Sequence, residues 1–119
     1  PGPPKRKGPG HSFAHVRIRD RVFALSSAAE LLELSDELRQ EFDLFHAVAS
    51  LRRIGASSDA HCHRQDPRLA AHFGRTLALV QDEGVAKDPR GLSDIAWSCA
   101  RLEVTHQPLL DAMSCQVQV

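Results

Sequence analysis

Residues 88–102 read DPRGLSDIAWSCARL, and residues 43–55 read DLFHAVASLRRIG. An offset of 48 lays Leu44 on Leu92, Ala47 on Ile95, Val48 on Ala96, Leu51 on Cys99 and Ile54 on Leu102. Apolar residues recur at steps of three and four in both stretches, the spacing of one helix face. Polar residues align as well: His46 with Asp94, Ser50 with Ser98, and Arg53 with Arg101. These are expected on the wet face, opposite the core stripe. A third side is apolar again, with Trp97, Ala100 and Val104 in one copy and Phe45 and Ala49 in the other. A helix covered on two sides and wet on one suits a stack of helical pairs, where each pair also buries its neighbour. A four-helix bundle, the competing arrangement, needs only one broad stripe.

The flanking segments carry helix signals of their own. Ser27-Ala28-Ala29-Glu30 has the spacing of a capping box, and Leu31, Leu34 and Leu38 follow along one stripe. Ser35 is a second candidate cap, so a break near 35 is expected, with a helix running on to about Ile54 and stopping at Gly55. Residues 56–65 read as a polar loop. Asp66-Pro67 and Asp88-Pro89 each pair an N-cap with a proline at the first helical position. Leu69, Phe73, Leu77 and Val80 form the stripe of the helix between them, which Gly84 ends. Thr105 is the candidate cap of a last helix carrying Leu109, Leu110 and Met113. No convincing strand is seen.

Composition narrows the function classes. The 119 residues hold 15 Lys+Arg and 15 Asp+Glu, for a net charge of zero, which excludes a uniformly basic nucleic-acid binder. The charge is uneven. Residues 1–21 carry six basic groups and one acid, whereas residues 22–50 carry one Arg and six acids. Twelve of the 15 basic residues are Arg, the side chain suited to planar recognition of phosphate or carboxylate. Residues 1–12, PGPPKRKGPGHS, have too little apolar content to fold and read as a disordered arm. No apolar run approaches the ~18 residues needed to span a membrane. The three cysteines do not make a disulfide framework. His61-Cys62-His63, with Asp59 and His72, invites a zinc reading. Adjacent side chains diverge, however, and no Cys-x-x-Cys is present, so a surface loop is expected and no metal. There is no phosphate loop, dinucleotide fingerprint or His-Glu-x-x-His, and neither an enzyme nor a cofactor is expected.

Residues 88–113 resemble the helical-pair repeat of octotricopeptide and heptatricopeptide proteins and of the related FAST-kinase-like proteins. The shared positions are Leu92, Ser93-Asp94, Ala96-Trp97, Ala100 and Leu102, followed by Leu109-Leu110-Asp111-Ala112. The likeness is degenerate over residues 42–83, where Ala49 stands in the place of Trp97 and the loop at 56–65 lengthens the unit. It implies an RNA-binding protein of a mitochondrion or plastid, acting in RNA metabolism or in a ribonucleoprotein such as the ribosome. Its partners would be single-stranded RNA or rRNA and neighbouring proteins of the assembly. On that reading His46, Ser50, Asp94 and Ser98 face base edges, and Arg53 and Arg101 contact phosphate or stack. Arg52, Arg68 and Arg90, with Arg75 and Lys87, would add phosphate contacts, Arg68 and Arg90 at helix N-termini. The alternative is a protein-interaction scaffold without RNA contact, which the zero net charge and the acidic 22–50 segment favour.

The expected fold is therefore all-α. It is a short right-handed α-solenoid of about two degenerate helix-turn-helix repeats plus an N-terminal helix over residues 22–119. Residues 1–21 would form a disordered basic leader rich in Pro and Gly.

Overall fold

The computed structural model describes residues 13–83 and 89–117, and every regular element in them is helical. Six α-helices follow in order: α1 (Phe13–Phe23), α2 (Ala28–Leu38), α3 (Leu44–Ala56), α4 (Pro67–Glu83), α5 (Pro89–Leu102) and α6 (Gln107–Val117). Single turns of 3-10 helix lie at Arg39–Glu41 and Ala60–His63.

Residues 13–21, expected in the leader, belong to α1. His15, Ile18 and Val22 fall along one side of that helix, and Val22 is fully buried. The rest of the expected arm, residues 1–12, lies outside the described residues. Ser27 caps α2 by accepting from the Glu30 N–H at 3.1 Å. Glu30 does not return to the cap amide; its carboxylate takes the Ser27 hydroxyl at 3.0 Å instead. The free N–H groups of Ala28 and Ala29 go to the Asp59 carboxylate, at 2.7 and 3.1 Å. This cap from 30 residues away holds the polar loop against α2. The Ala28 N–H in turn keeps the Asp59 carboxyl below its ordinary pKa.

The break between α2 and α3 falls at residues 39–43 rather than at Ser35. Ser35 is buried and bonds back to the Leu32 carbonyl at 3.0 Å, which lets the helix continue. The chain turns where Phe42 adopts an extended backbone and drops its ring into the core. Asp43 then caps α3 in a capping box whose third position is His46. Gly55 does not end α3. It is buried inside the helix, where a Cβ would lie 3.4 Å from the Trp97 ring and 3.5 Å from Ser98 Cα. The two Asp-Pro expectations place the starts of α4 and α5 at Pro67 and Pro89, as observed. The last helix starts at Gln107 rather than directly after Thr105. The His106 ring accepts the Leu109 N–H at 3.3 Å, so His106 is the cap. Glu103, with φ 56, closes α5 in the left-handed conformation, and Val104 N–H bonds back to the Cys99 carbonyl at 3.0 Å.

The core runs through Leu31, Leu32, Phe42, Leu51, Ile54, Leu69, Phe73, Ile95, Leu102 and Leu109, all at most 1% exposed. Ala47 and Cys99 are buried as their spacing predicts, but Ala96 is exposed where its counterpart Val48 is buried. Helix α3 is the hub and packs on α1, α2, α4 and α5. Helix α4 packs on α2, α3 and α6. The odd-numbered helices thus neighbour one another, as do the even-numbered ones, in a slab of 49 × 36 × 20 Å. None of the described helices is long and apolar enough to cross a membrane.

Candidate functional site

The polar face expected to meet solvent is instead the seam between helices. His46, Ser50 and Ser98 are each at most 1% exposed. Ser98 donates to the Asp94 carbonyl at 2.7 Å, and the Ser50 hydroxyl has no partner among the described residues. The reason is steric. Gly55 and Ser98 are small enough for α5 to approach α3 closely, while α1 covers the matching stripe of α3, where His46 reaches the His15 carbonyl and Arg53 the Leu25 and Phe23 carbonyls.

The arginines of that face are structural as well. Arg53 reaches the C-terminal end of α1, donating to the Leu25 carbonyl at 2.7 and 3.1 Å and to the Phe23 carbonyl at 3.2 Å. It satisfies carbonyls that the end of a helix leaves open. Arg101 does the same for α3, donating to the Gly55 carbonyl at 3.3 Å. Arg52 sits over the Trp97 ring, its guanidinium carbon 3.9 Å from the ring centre, and pairs with Asp94 at 2.7 Å. Trp97 is half-buried beneath it, so its expected packing role stands, shared with a cation. Arg68 does not wait for a phosphate at the start of α4. Its guanidinium holds Asp66 with contacts of 2.8 and 3.2 Å and drives that carboxyl far below its ordinary range. Arg75 donates to the Phe42 and Gln40 carbonyls. Lys87 lies outside the described residues.

What the fold leaves accessible is a groove of about 640 Å³ where α1 ends, α3 begins and α5 starts. Its floor is Leu44, Phe45, Val48 and Ala49 of α3, with Phe23 of α1 as one wall. Arg52, Arg53, Arg90 and Asp94 form the polar rim. Phe23 and Phe45 are 47% and 46% exposed, and their rings meet edge to face at 6.2 Å. Of the residues singled out in the sequence, Arg52, Arg53, Arg90 and Asp94 come together here; His46, Ser50, Ser98, Arg101 and Arg68 do not line it. The two phenylalanines were not among the expected binding residues. Phe45 was expected on the third, covered side of α3, and its spacing to Ala49 and Arg52 was the available signal.

A second cluster lies beside this groove. His15 of α1 donates from Nδ1 to Asp43 Oδ2 at 2.6 Å. Asp43 Oδ1 accepts the His46 backbone N–H at 2.9 Å, and His46 Nδ1 accepts the Asp43 backbone N–H at 3.0 Å. The His46 Nε2–H donates to the His15 carbonyl at 2.9 Å. Burial lowers the His46 pKa, so its imidazole is held neutral. By contrast the His61-Cys62-His63 loop does not converge. Cys62 is exposed, Asp59 is committed to α2, and His72 is fully buried on α4.

No family model, curated protein or solved structure matches this chain.

Proposed function

We propose that the protein is an RNA-binding helical-repeat protein, without catalytic activity, that takes unpaired RNA in the groove between α1, α3 and α5. The observation that carries this is two half-exposed phenylalanines with Arg52 and Arg90 at the same rim. Unpaired bases stack on aromatic faces while arginines meet the phosphates, and stacking tolerates any base. The groove also opens at the start of α5, where the helix dipole favours an anion. The neighbouring of α1, α3 and α5 on one side and of α2, α4 and α6 on the other supports reading the fold as the two-layered stack of an α-solenoid. The resemblance of residues 88–113 points to an organellar ribonucleoprotein, in a mitochondrion or plastid, as the setting. Recognition moves from the buried His46, Ser50 and Ser98 to Phe23, Phe45, Arg52 and Arg90.

A second reading, a protein-interaction scaffold, is favoured by the mostly apolar floor and by Asp94 occupying Arg52. An amphipathic partner helix would lay its apolar side on Phe45 and Val48.

Binding of short single-stranded RNA, measured across a salt series, separates the two. We expect affinity to fall steeply with salt. Phe45→Ala should weaken it roughly 5- to 150-fold, the worth of one stacked base at ~1–3 kcal/mol. Arg90→Ala should reduce the salt slope by about one. Absence of binding at low salt, or equal affinity in Phe45→Ala, would overturn the RNA reading and leave the scaffold.

A further inference from the structure

We propose that His15, Asp43 and His46 form a site for a divalent transition metal of the zinc class, one that pins α1 onto α3. The inference is independent of what the groove binds. Two imidazoles and one carboxylate are a donor set that such ions accept, with a fourth position left for water. One ligand atom from each of the three residues lies within 4.8 Å of the other two. His15 Nδ1 is 2.6 Å from Asp43 Oδ2, and His46 Nδ1 is 3.0 Å from Asp43 Oδ1. Bonds of about 2.0–2.1 Å to a tetrahedral ion place neighbouring donor atoms about 3.3 Å apart. To take the ion, the His46–Asp43 edge opens from 3.0 Å by about 0.3 Å and the His15–Asp43 edge from 2.6 Å by about 0.7 Å, with no pair of ligand atoms more than 4.8 Å apart at the start.

The outer contacts are also in place. The His46 Nε2–H already donates to the His15 carbonyl, so its lone pair sits on Nδ1, facing the carboxylate. A ligating histidine characteristically gives its other N–H to a carbonyl in this way, which fixes the tautomer and the ring. His46 Nδ1 and Asp43 Oδ1 are two acceptors 3.0 Å apart, an arrangement that a cation between them relieves. Metal binding would displace the Asp43 N–H from His46 Nδ1 and move the His15 proton from Nδ1 to Nε2. The carboxylate can still accept the His46 backbone N–H and keep the start of α3. His15 and His46 side chains are 11% and 2% exposed, which shields the ion, while Asp43 at 34% leaves an entry path.

The test uses the full chain, freed of metal by chelation and titrated with zinc or, for its visible spectrum, cobalt. We expect one ion per chain at micromolar concentration, a four-coordinate cobalt spectrum, and a melting temperature raised by several degrees on zinc addition. Asp43→Asn retains a good N-cap and should fold but lose the metal response. His15→Ala leaves the capping box untouched and should lose it as well. Cys62→Ser must bind as the parent does, because the exposed His61-Cys62-His63 loop is the competing source of metal affinity. No stoichiometric binding, or binding that survives both Asp43→Asn and His15→Ala, would overturn the proposal.

Discussion

His72 sits on the inner face of α4 with no exposed surface, its Nε2–H given to the Ala47 carbonyl at 2.9 Å. Its Nδ1 has no partner among the described residues, and burial brings its pKa down to about 4. The native state therefore holds a neutral imidazole, whereas the unfolded chain takes up a proton below about pH 6.5. Stability from this residue is complete above pH 6.5 and is lost as the pH falls toward 4. We expect denaturant unfolding to show a loss of about 3 kcal/mol between pH 7 and pH 4 from this residue, and His72→Leu to flatten that slope. A slope unchanged by His72→Leu would place the acid sensitivity elsewhere. Nothing in the spacing distinguished this histidine from a loop ligand. What decides its state is that α3 and α4 close over it, a tertiary fact.

Among the helices, α1 is the one held by the fewest buried groups. Val22 is its one fully buried side chain among the described residues, and α3 is its main support. The polar contacts of Arg53 with the Phe23 and Leu25 carbonyls therefore matter more than their number implies. Arg53→Ala should speed amide exchange in α1 by ~10-fold or more, since hydrogen bonds to a charged group contribute about 1.5–3 kcal/mol. Amides in the middle of α3 and α4 should change far less. Uniform acceleration across all helices would instead mean that α1 unfolds only with the whole domain. The helix starts at Pro67 and Pro89 were legible because Asp-Pro carries its signal within two residues. The break before α3 was not, because His46 closes the capping box where Glu or Gln is usual, and because Phe42 turns the chain by burying its ring. Gly55 misled for a related reason: it serves the approach of α5 and not the end of α3.

At the scale of the molecule, the sequence carried the all-helical fold and most of the core positions, Ala96 being the exception, but not the fate of the polar stripes. A serine at helix spacing reads as wet until the adjoining helix is known: α1 lies on that side of α3, and α3 on that side of α5. The accessible surface is instead the third side, with Phe45 at its centre and Phe23 closing it from α1. Arg52, Arg53 and Arg90 meet at this one groove although the whole chain is neutral. Photocrosslinking of a short single-stranded RNA to the intact protein, with the attachment points mapped by mass spectrometry, tests this placement most directly. Adducts on peptides containing Phe23 and Phe45, lost in Phe45→Ala, are the predicted result. Adducts confined to residues 1–12, or none at all, would contradict it.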